Sequence, residues 1–124
     1  MSQRTGVKRR LLETKTRDLW QLELVSADGH ILGRVVRQIV EVDMYTIRYF
    51  IVYCADTGKH YIVPSDTIYA IEDDRVYTSL TRAHLTKLPD LSVPVEDVEE
   101  EIYRIIGRRP YWEEEFFPST PPTD

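Results

Sequence analysis

The sequence predicts a mainly β chain: a small closed or partly closed antiparallel β-barrel with a C-terminal helical extension. Three observations carry this. Between Trp20 and Leu80, short runs rich in Val, Ile, Tyr and Phe recur between turn residues, about five or six strands in all. Several runs alternate apolar and polar residues with a period of two. After Leu80 the pattern changes to a helical period interrupted by Pro89 and Pro94.

The elements follow in order. Trp20, Leu22 and Leu24 alternate with Gln21 and Glu23, which predicts a half-buried strand. Asp28-Gly29 supplies the positive φ values of a tight turn. Ile31 to Val42 reads as the next strand, with Gly33 marking a bulge or a close backbone approach. Asp43 to Thr46 forms a turn into Ile47–Cys54, which is apolar on both faces and is therefore predicted to lie centrally. Asp56-Thr57-Gly58-Lys59 closes a hairpin into His60–Val63. Ile68, Ala70 and Val76 continue the sheet around the acidic turn Glu72-Asp73-Asp74. These readings divide the chain into a basic arm (1–17), the barrel (18–90), a helical extension (91–107) and an aromatic-acidic tail (108–124) whose end has a disordered composition.

The run Asp28-Gly29-His30-Ile31-Leu32-Gly33-Arg34-Val35 resembles the opening hairpin of the PRC-barrel family. Ile47 to Val52 and Tyr61-Ile62-Val63-Pro64 are similar to its central strand and its strand ending in Val-Pro. Asp73 to Val76 and Leu80 to Leu85, reaching Leu88-Pro89, fit its closing pattern. The resemblance covers about residues 18–90. It implies a compact barrel of the kind found in the photosynthetic reaction-centre H subunit, in the ribosome-maturation factor RimM and in many stand-alone proteins. It carries over no catalytic residue. Neither a membrane helix like that of the H subunit nor a preceding barrel like that of the maturation factor is expected from the residues before the strands.

Composition bounds the function classes. The chain has 124 residues, 42% of them hydrophobic and 30% charged, which fits one globular domain. The run Tyr49–Ala55 is too short to span a bilayer, and the first residues hold no apolar core of a secretory signal. Cys54 is the single cysteine, so no internal disulfide forms and a cytoplasmic home is expected. Residues 1–17 carry a net charge of +5, 18–95 carry −4 and 96–124 carry −6. The arm, with Arg4, Lys8, Arg9 and Arg10, is either a solvated terminus or a phosphate-binding element.

Catalytic and metal constellations are not expected. His30, His60 and His84 lie far apart without ligand spacing, and no metal or cofactor is predicted. Ser65-Asp66 beside His60 lacks the Gly-x-Ser-x-Gly elbow of a hydrolase. Glu72-Asp73-Asp74 lacks the calcium-loop pattern and reads as a solvated turn. The strand tyrosines read as structural, because a body of net charge −4 opposes a groove that tracks phosphates.

The C-terminal third is less explained by a barrel. Val95, Val98, Ile102, Ile105 and Ile106 share one helix face, begun by Pro94 and ended by Gly107. Burying all five would contribute roughly 8–15 kcal/mol before entropy costs. This chain's own barrel, a partner or a second copy must cover that face. Tyr111, Trp112, Phe116 and Phe117 surround Glu113-Glu114-Glu115, either as a latch over the barrel or as a docking peptide. The predicted activity is therefore a non-enzymatic interaction or adaptor module with a protein partner or a second copy of itself. Its predicted partner contacts are Ile102, Ile106, Trp112, Phe116 and Phe117. The alternatives are an RNA- or ribosome-associated factor that uses Arg4, Lys8, Arg9 and Arg10, and cytoplasmic support of a membrane electron-transfer complex.

Overall fold

The computed structural model describes residues 10–92 and 94–116, and for 114–116 the backbone alone. Seven strands form one sheet: β1 (Leu11–Lys15), β2 (Glu23–Val25), β3 (Ile31–Glu41), β4 (Thr46–Cys54), β5 (Lys59–Pro64), β6 (Ile68–Glu72) and β7 (Arg75–Thr78). Helices α1 (Arg82–Lys87), α2 (Glu99–Ile106) and α3 (Tyr111–Phe116) follow. The hydrogen-bonded order is β5-β4-β3-β2-β7-β6, with β1 joined to β3 beside β2. Among the described residues β5 and β6 end this path, so hydrogen bonds do not close the barrel. The chain turns between them through a 3-10 turn at Ser65–Thr67.

The expectation of a wholly antiparallel sheet is corrected at one pairing: β2 and β7 run parallel, with Glu23 opposite Arg75 and Val25 opposite Tyr77. Strands far apart in sequence make this pair, and the long stretch of chain between them allows either direction. A second correction concerns the arm. Its last residues form β1, antiparallel to β3 from Leu11 opposite Glu41 to Lys15 opposite Arg37. A third concerns Trp20, which lies in a turn and is 59% exposed. Gln21 takes φ +71° there, which breaks the strand, and its N–H donates to the Val35 carbonyl at 2.7 Å.

Gly33 has the role that its place in a strand implied. A β-carbon there would stand 2.2 Å from the Tyr53 carbonyl oxygen, so only glycine lets β3 lie this close to β4. The next residue along, Leu32, is left without a strand partner as the register against β2 shifts. Asp73 and Asp74 both have positive φ, at +52° and +65°, and turn β6 tightly into β7.

Strand β4 is central, as its two apolar faces imply. Tyr49 meets Tyr111 on one side, and Phe50 points the other way, into a groove at the barrel mouth. The helical segment differs from a single helix. Val95–Asp97 is a 3-10 turn, Val98 is non-helical (φ −122°, ψ 5°), and α2 starts at Glu99. Gly107 ends α2 at φ +70°, the left-handed cap that glycine favours. The barrel strands and α2 share one hydrophobic core.

Candidate functional site

Two constellations stand out, one buried and one open. The buried one begins at a bulge. Ile39 pairs with Tyr49 and Val40 with Ile47, which leaves Arg48 as the extra residue of β4. A bulge re-aims its side chain, and Arg48 comes to lie over the Tyr111 ring, 3.9 Å from its centre. The Arg48 Nε–H also donates to Glu41 Oε1 at 2.8 Å, and both side chains are buried. The hydroxyls of Tyr49 and Tyr111 donate to Glu99 Oε2 at 2.7 and 3.0 Å. Nearby, the Tyr103 hydroxyl donates to Asp66 Oδ2 at 3.2 Å, and Arg108 donates to the Asp66 carbonyl at 3.0 Å. Trp112 stacks edge-on against Tyr103 and Tyr111. This cluster clamps α2 and α3 to β4.

Burial, with Glu99 adding to it, holds the Tyr49 hydroxyl far above its ordinary pKa of 10.0, and burial beside Asp66 does the same for Tyr103. Both stay protonated donors in the fold while unfolded tyrosines ionise near pH 10. Their contribution is therefore complete below pH 10 and is lost as pH rises above it. Tyr49→Phe should flatten the alkaline fall of stability by about 1.4 kcal/mol per pH unit, measured by denaturant unfolding between neutral and strongly alkaline pH. An unchanged slope would place the Tyr49 hydroxyl in contact with solvent.

The clamp settles where several predicted contacts lie. Ile102, Ile106 and Trp112 are buried in this chain's own core, which takes them off the free surface. In this chain alone own-chain packing covers them, and Tyr111 and Trp112 pack against Tyr49 and Tyr103. The Phe116 side chain and Phe117 lie outside the described residues, as do Arg4, Lys8 and Arg9. Arg10 is described, and its guanidinium pairs with Asp43 at 2.6 Å, which raises the Arg10 pKa and lowers that of Asp43. That pairing engages Arg10 with a carboxylate of its own chain.

The residues of the hydrolase reading do not meet. His60 and Ser65 stand about 17 Å apart along extended chain. Ser65 donates to the Ile47 carbonyl at 2.6 Å, and Asp66 is engaged with Tyr103 and Arg108. The His84 ring Nδ1 lies 3.1 Å from the Thr81 hydroxyl that caps α1, and Cys54 is buried. The Asp28 carboxylate accepts from the Ser26 hydroxyl at 2.6 Å and from the Arg82 N–H at 3.0 Å, which depresses its pKa. It ties the first hairpin to α1.

The open constellation is a groove of about 760 Å³ at the barrel mouth. Leu19 from the β1–β2 connection, Ile47 and Phe50 from β4, and Ile71 from β6 make its apolar lining. Lys15, Arg17 and Asp18 stand at its edge. A second hollow of about 400 Å³ continues past Lys15 and Arg17 to Trp20, Val36 and Arg37. Arg37 pairs with Glu13, whereas Lys15 and Arg17 form no ion pair among the described residues. Trp20 and Ile71, at 59% and 52% exposure, are among the exposed large apolar side chains of the described residues. The groove draws on residues 15–19, 47–50 and 71, so no local motif could announce it.

The family model of the PRC-barrel domain matches residues 13–85. The chain belongs to the PRC-barrel family. The matched span runs from β1 into α1, so the groove lies wholly inside the PRC barrel and the clamped helices α2 and α3 lie outside it. Among curated proteins no match is found. Among the described residues no helix is long and apolar enough to cross a membrane.

Proposed function

We propose that this PRC barrel is a non-enzymatic protein-interaction module, an adaptor, whose docking surface is the groove at the barrel mouth. The single observation that carries the reading is that groove: an apolar floor of Leu19, Ile47, Phe50 and Ile71, continued past Lys15 and Arg17 by the hollow that exposed Trp20 lines. Pockets that bind a partner combine an apolar base with a few polar groups at the rim. The helical extension supports the barrel from the other side of β4. The non-enzymatic part of the reading is supported by the Ser65 hydroxyl bonding the Ile47 carbonyl, the His84 ring lying on the Thr81 cap of α1 and Cys54 being buried.

The test is capture of the tagged full chain from its native lysate, with and without ribonuclease, beside an Ile71→Glu variant. Ile71 is exposed, so the variant should retain its fold. The expected result is a protein partner that survives ribonuclease and is lost from Ile71→Glu. Ribosomal proteins that vanish after ribonuclease, equally from both forms, would replace this reading with an RNA-associated one.

A further inference from the structure

Resting on that reading, we infer that the groove takes an extended peptide segment of a partner protein, with a bulky apolar side chain flanked by acidic residues. Three observations define this occupant. The floor made by Leu19, Ile47, Phe50 and Ile71 is concave and apolar, which suits an inserted aliphatic or aromatic side chain better than the flat face of a base. The rim carries a net positive charge in a chain whose net charge is −5: Lys15 and Arg17 stand there without an ion pair among the described residues, against Asp18 alone, while Arg37 just beyond is paired with Glu13. Charge of this sign at the mouth steers carboxylates towards the groove.

The third observation sets the conformation of the occupant. Strand β6, which carries Ile71, ends the hydrogen-bonded order of the sheet, so among the described residues its outer edge has no strand neighbour. An extended segment can add along such an edge, with main-chain hydrogen bonds giving affinity and alternate side chains giving specificity. Every second side chain of the added segment then turns towards the groove, so acidic residues two positions from the inserted side chain, on the same face, reach Lys15 and Arg17.

The experiment selects binders to the full chain from a display library of short random peptides, then titrates the enriched peptides against groove variants. The expected enrichment is an aromatic or large aliphatic residue with acidic residues two positions before and after it. Binding should weaken about tenfold or more in the double variant Lys15→Glu/Arg17→Glu and in Ile71→Glu, and should weaken as salt is raised. All three residues are exposed, so unchanged thermal unfolding of the variants separates lost binding from lost fold. Peptides in which the acids are replaced by lysine should prefer the Lys15→Glu/Arg17→Glu variant. Enriched peptides without acidic residues would overturn the inference. So would acidic peptides indifferent to the groove variants, although the chain would then remain an interaction module with its surface elsewhere. Failure of every peptide together with tight binding of an RNA oligonucleotide would overturn both readings.

Discussion

Arg48→Ala is expected to destabilise the fold by about 3–5 kcal/mol, because it leaves the Glu41 carboxylate buried without its guanidinium. Arg48 and Glu41 are only 8% and 4% exposed, so water cannot replace the lost partner. The same change removes the cation over the Tyr111 ring and loosens the seat of α3. For a domain of this size the loss amounts to roughly 10–20 °C in Tm. Replacing both members of the pair, Arg48→Met with Glu41→Leu, should recover most of it, since apolar groups of similar volume carry no desolvation cost. Denaturant unfolding of the three proteins measures this. A single variant within about 1 kcal/mol of the parent would show that the pair is hydrated in solution.

Gly33→Ala should be as damaging, at about 3 kcal/mol or more, for a different reason. The added methyl would meet backbone: the Tyr53 carbonyl oxygen at 2.2 Å and its carbon at 2.8 Å. Neither can rotate away, so β3 and β4 must separate and the ladder around Arg34 and Tyr53 must loosen. Hydrogen exchange should show lost protection concentrated in these two strands. Gly29→Ala makes the contrast. An added β-carbon there meets nothing within 4 Å, but φ is +86°, so its cost is one of backbone strain alone.

The features legible in sequence were those written locally. Asp28-Gly29 and Asp56 to Lys59 named their turns, and Gly33 named a close approach. The two apolar faces of Ile47–Cys54 placed β4 between layers. Gly107 ended α2 as its position required. The missed features depend on partners distant in sequence. Leu11–Lys15 holds two leucines among polar residues, too short a pattern to read as a strand until β3 is there to pair with it. The parallel β2–β7 pair leaves no local signature. Trp20 kept the alternation of a strand, but the left-handed Gln21 after it turned the chain outwards. The clamp joins residue 41 to 48, 99 and 111, and the groove joins 15–19 to 47–50 and 71, so neither could be found by spacing. The helix face was found, yet its cover had to come from three dimensions: Tyr49, Glu99 and Tyr111 seat it on this chain's own barrel.

The PRC barrel and its helical extension thus divide the work physically. Buried charge and tyrosine hydroxyls fix α2 and α3 against one face of β4, while the mouth on the other side keeps exposed apolar groups and uncommitted cations. The most direct measurement of this division is site-specific photo-crosslinking of the full chain in its native lysate. A photo-reactive residue would be placed at position 71 in one variant and at position 87, on exposed α1, in another. The account predicts a discrete protein adduct from position 71 and none from position 87. An adduct from position 87 with none from position 71 would contradict it, and would move the docking surface to the helical side of the molecule.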